Sequence, residues 1–64
     1  MLYDLYAERD GNRVLIASSC ALEGAADLID GMEEADNWPE GSDAVAVEMG
    51  GVRALMYVDG WEPL

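Results

Sequence analysis

No dipeptide in this chain constrains the fold more than Gly50-Gly51. It stands between two runs of mainly apolar residues, Ala44 to Met49 and Val52 to Asp59. A two-residue connection between such runs needs positive φ at its centre, which glycine adopts without steric penalty. The pattern predicts an antiparallel hairpin. In that register Val45, Val47 and Met49 face Met56, Ala54 and Val52. On the other side Glu48 faces Arg53, beside Ala46–Leu55 and Ala44–Tyr57.

Asp10-Gly11 repeats the signal near the N-terminus. Leu2 to Glu8 alternates, with Tyr3, Leu5 and Ala7 on one face and Asp4, Tyr6 and Glu8 on the other. Arg13 to Ser18 then returns as a strand rich in β-branched and aliphatic residues. A loop at Asp10-Gly11 pairs Ala7 with Val14, Leu5 with Ile16 and Glu8 with Arg13; a loop at Gly11-Asn12 is the alternative. Each hairpin thus carries a Glu–Arg rung next to its turn. Each also has a tyrosine further along the same outer face, Tyr6 and Tyr57.

Between the hairpins Leu22, Ala25, Ala26, Ile29 and Met32 recur at spacings of three and four, which predicts a core-facing helical stripe. Ser18 or Ser19 caps this helix, or it opens near Leu22. Pro39 closes it by about Asp36 or Asn37, because the residue before proline disfavours the helical region. A polar loop, Asn37 to Asp43, follows, and the tail from Gly60 to Leu64 folds back over an edge. The expected fold class is α+β with the order ββαββ: one antiparallel sheet of about four strands, with the helix packed on one face. The 64 residues suffice for a single small domain, 1–64.

Charge narrows the function. Fourteen Asp and Glu oppose three Arg, the formal net charge is −11, and Lys and His are absent. That balance repels a phosphate backbone, so direct nucleic-acid binding is not expected. With 52% apolar residues the chain nonetheless has the composition of a folded domain. Without His or Lys, imidazole and amine catalysis have no carrier. Cys20 is alone, with no base to activate it, and reads as a small buried thiol rather than a nucleophile. One thiol and no imidazole do not make a transition-metal site. The oxygen-rich loop Asp36, Asn37, Glu40, Ser42, Asp43 is interrupted by Trp38 and Pro39, which break calcium-loop spacing. The expectation is a protein that is not an enzyme, with no cofactor and no metal. The start Met1-Leu2-Tyr3-Asp4 lacks a signal-peptide pattern and no apolar run spans a bilayer, so a cytoplasmic location is expected.

One local rule is broken without visible compensation. Glu23, Asp27, Asp30 and Glu34 follow one another at spacings of four, three and four. On a helix they fall within about 60° of one another along about 16 Å, a carboxylate roughly every 5 Å. Glu33 and Asp36 broaden the line near the helix end. Like charges at these spacings are mutually destabilising, and anions at a helix C-terminus oppose the macrodipole. No Arg on the helix relieves them. Such breaks tend to mark function, and these six residues are the candidate partner-binding set.

In size, lysine-free acidity and ββαββ pattern the chain resembles small phage-encoded inhibitors of the anti-CRISPR, DNA-mimic kind. The resemblance covers general character over the whole chain and rests on no diagnostic motif. It implies a basic protein or ribonucleoprotein partner, such as a CRISPR surveillance or effector complex, met in the host cytoplasm by a monomer or homodimer. Asp4, Glu40, Asp43, Asp59 and Glu62 are expected to add to the charge line from sheet edges and loops. Two other readings fit the same composition. One is an acidic interaction module, antitoxin-like or a regulatory subunit, that binds through exposed aromatics such as Trp38 and Trp61. The other is a small domain adapted to high salt.

Overall fold

In the computed structural model, which describes residues 1–51 and 53–64, Asp10 and Gly11 take φ of 53° and 81°. Those values are what a two-residue loop matched to strand twist requires. The loop joins β1 (Tyr3–Arg9) to β2 (Asn12–Cys20). Ala7 pairs with Val14 and Glu8 with Arg13, as the loop at Asp10-Gly11 demands. Beyond Tyr6–Leu15 the register slips, so that Leu5 faces Ala17 rather than the expected Ile16. The extra residue makes a β-bulge. It turns both Ile16 and Ala17 toward the core built on Leu5. A second slip follows before Tyr3–Cys20, where Ser19 takes φ of 56°. Ser18 and Ser19 therefore lie within β2 and do not cap the helix.

The helix α1 (Leu22–Glu34) opens at Ala21 with no side-chain cap. Its end is closed by backbone alone. Asp36 N–H donates to the Glu33 carbonyl at 3.1 Å and Asn37 N–H to the Met32 carbonyl at 2.7 Å. These paired bonds, with Asp36 at φ 59° in the left-handed region, form a Schellman motif. The motif stops the helix at Glu34, within a turn of the expected end.

The second hairpin joins β3 (Asp43–Glu48) to β4 (Ala54–Tyr57) with the expected pairs Ala44–Tyr57, Val45–Met56, Ala46–Leu55 and Val47–Ala54. Glu48 N–H also donates to the Arg53 carbonyl at 2.7 Å. The turn itself is closed from Gly51 N–H to the Glu48 carbonyl at 2.8 Å, so Met49 and Gly50 hold its centre. The expected Met49–Val52 pair lies outside the described residues. The tail does fold back, and it does so as a strand: β5 (Trp61–Pro63) pairs antiparallel with β4. The sheet consequently has five strands rather than about four, ordered β2-β1-β3-β4-β5.

Pairing of β1 with β3 decides which face lies inward. Tyr3, Leu5 and Ala7 face Glu48, Ala46 and Ala44. Alanines of β3, not its valines, thus sit beneath α1, and Ala25 and Ile29 of the helix close on Leu5 and Ala44. Small residues on both sides let helix and sheet approach closely, and close packing is what a core this small has to offer. The same pairing corrects the expected position of Tyr57. It lies on the helix side, edge-on to Trp61 at 5.1 Å between ring centres. Among the described residues, no helix is long and apolar enough to cross a membrane.

The acidic helix face as candidate functional site

Burial of Ala25 and Ile29 fixes the rotation of α1 on the sheet. At about 100° per residue, the direction shared by Glu23, Asp27, Asp30 and Glu34 lies roughly 150° from that buried line. All four are exposed. The sequence-predicted line therefore exists as an outward ridge about 16 Å long. Its like charges have no helical cation among them, since Arg9, Arg13 and Arg53 all lie on the two hairpins.

The other two candidates part from the ridge. Glu33 lies about 90° around the helix from it, and Asp36 is past the helix end in the left-handed conformation. With Trp38, Glu40 and Ser42 they line an open depression of about 470 Å³. Trp38 forms its wall, held by an indole N–H that donates to the Ser42 carbonyl at 3.1 Å. On the far side of the loop, Arg9 Nη1 donates to the Glu40 carbonyl at 3.1 Å. Among the described residues, no three Asp, Glu or Cys side chains group closely enough to hold a metal ion.

Strand alternation also redirects several acids that were expected to extend the line. Asp4 pairs with Val47, Asp43 with Glu8, and Glu62 with Met56, which places all three on the sheet face opposite the helix. The ridge thus stands on its own four carboxylates at about 5 Å intervals, against about 3.4 Å for phosphates along one DNA strand.

The aromatic anchors are engaged in the fold. Trp61 donates its indole N–H to the Leu22 carbonyl at 3.1 Å, pinning β5 to the start of α1. Trp38 and Trp61 both pack against the core. Cys20, a free half-buried thiol, lies 3.6 Å from the Ser18 carbonyl and borders the same core.

Sequence reasoning gave little weight to the open face of the sheet. Ala44, Val45 and Ala46 are buried in succession: the alanines lie on the helix side, and Val45 on the opposite face is enclosed between its cross-strand neighbours Tyr6 and Met56. A strand whose residues are apolar without alternation carries that signal. Comparison with protein-family models, curated proteins and solved structures finds no match to this chain.

Proposed function

We propose that this chain is a non-enzymatic inhibitor that occupies a basic nucleic-acid-binding surface on a partner. It presents the ridge Glu23, Asp27, Asp30 and Glu34 in place of phosphates. The observation that carries this reading is the exposure of all four carboxylates on the helix face turned from the sheet, with no cation on the helix. A solvated helix face is ordinarily relieved by a cation at i+4, and this one keeps its repulsion. Charge of one sign on a rigid element steers a cationic groove by long-range attraction and excludes the competing polyanion. The best-fitting partner is a basic DNA-admitting channel of a protein or ribonucleoprotein, of which a CRISPR effector complex is one kind. The encounter then takes place in the cytoplasm of the host cell.

The test is capture of cell-lysate proteins on the immobilised domain, with and without excess duplex DNA, using the natural chain and Asp27→Lys/Asp30→Lys. The reading expects a basic nucleic-acid-binding complex that DNA displaces and the double variant fails to retain. Capture insensitive to both DNA and the double variant would sink it.

A further inference from the structure

The sheet has two apolar faces and α1 covers one of them. On the other, Leu15, Tyr6, Val45 and Met56 form a single row across β2, β1, β3 and β4. Val45 is wholly buried in the middle of that row, between its cross-strand neighbours Tyr6 and Met56. Toward the margins the apolar surface opens to solvent: Leu15 is 53% exposed, Leu2 46% and Met49 51%. Leu2 and Met49 continue the same face, as the bond from Met49 N–H to the Leu2 carbonyl at 3.0 Å indicates. Half-buried Val47 lies between the Val45 row and Met49 on β3 and joins the two margins, and apolar surface of this kind, rimmed by polar groups, marks an interaction site.

The rim is acidic. Asp4, Glu8, Asp43 and Glu62 share the face by register, with Arg13 across from Glu8. Arg13 is already committed, its Nε donating to Glu8 Oε1 at 2.6 Å. The sheet edges are poor docking sites by comparison. The outer strand β2 is bulged twice and β5 ends in Pro63, and both features blunt strand addition.

We infer that the open sheet face docks an amphipathic helix of a partner protein whose apolar stripe is bordered by Arg or Lys. Dimensions and charge both select this occupant. The apolar row crosses four strands spaced about 4.8 Å apart, about 14 Å in all, which a helix of about ten residues covers at about 1.5 Å per residue. A second copy fits less well. It sets Asp4, Asp43 and Glu62, which no cation among the described residues neutralises, against the same three of the other copy, with Glu8 and Arg13 already paired to each other. A cationic border meets those same carboxylates favourably. This surface lies opposite the acidic ridge and shares no residue with it, so either assignment stands without the other.

The experiment titrates the isotope-labelled chain with a synthetic Leu/Ala/Lys peptide of about four helical turns carrying one leucine stripe. A scrambled peptide of the same composition is the control, and amide resonances are followed throughout. Expected are saturable shifts at Tyr6, Leu15, Val45 and Met56, with affinity reduced tenfold or more by Leu15→Glu. Asp27→Lys/Asp30→Lys should weaken it threefold at most. Leu15→Ser replaces Leu15→Glu should the latter lose its dispersed spectrum, and is expected to weaken binding at least threefold. Shifts confined to α1, equal binding of the scrambled peptide, or no shift at millimolar peptide would each overturn the inference. So would a dimer in sedimentation whose open-face resonances move on dilution, because the occupant would then be a second copy.

Discussion

Alanine does as much for this fold as its larger apolar residues. Ala46 is fully buried between Leu5 and Leu55 on the helix side of the sheet, and Ala25 is fully buried on the helix above. Enlarging either side chain pushes helix and sheet apart. Ala46→Leu is therefore expected to destabilise the domain by about 1–3 kcal/mol, read as a lower urea midpoint at unchanged slope. For a chain of this length, whose total stability is only a few kcal/mol, that is a large share. Asp36 is the opposite case. It holds a left-handed backbone that favours glycine, and it adds a negative charge where the helix dipole is negative. Asp36→Gly should raise stability by about 0.5–1 kcal/mol, after allowing for the greater freedom of glycine in the unfolded chain. Equilibrium denaturation showing a loss instead would mean that the carboxylate has a stabilising partner in solution.

At the scale of elements, local signals carried the hairpins and non-local pairing did not declare itself. Asp10-Gly11 set the rungs Ala7–Val14 and Glu8–Arg13, since a two-residue loop leaves one register. The bulge at Ile16 went unseen because an extra residue has no compositional mark in an apolar run. Alternation in β3 separated Ala44 and Ala46 from Val45 and Val47, but only the pairing of Leu5 with Ala46 says which set meets the helix. Hence Tyr57 turned inward. The ridge was legible for a related reason: helical angles follow from spacing once the strip Ala25–Ile29 is recognised as the buried side. Glu33 follows the helical period and so falls about 90° from the ridge, whereas Asp36 was harder to place, because the Schellman closure directs it. The ridge also yields a prediction in which binding and stability have opposite signs. Asp27→Lys/Asp30→Lys converts the like-charge pairs with Glu23, Glu33 and Glu34 into attractive ones. The variant should gain about 1 kcal/mol in helix-dependent stability while losing partner capture. A variant that lost both would point to misfolding rather than to a binding surface.

For the whole molecule the governing quantity is charge per size. The chain carries a net −11 on a body with principal extents of 30 × 24 × 20 Å. At 10 mM salt the Debye length is about 30 Å, so every carboxylate repels every other across the entire molecule. At physiological ionic strength it falls to about 8 Å, which silences repulsion between the helix ridge and the opposite sheet face. Neighbours about 5 Å apart along the ridge still interact there, and they are screened only toward molar salt. The thermal midpoint should accordingly climb by several degrees between about 10 mM and 0.15 M sodium chloride, then rise only slightly. Asp27→Lys/Asp30→Lys makes the net charge of −11 less negative by four and removes near-neighbour repulsion on the ridge, so it should flatten both phases. Differential scanning calorimetry over that salt range, at fixed protein concentration, separates the two phases. A natural chain that stayed unfolded until molar salt would assign the acidity to its surroundings, and the ridge would lose its claim to a partner.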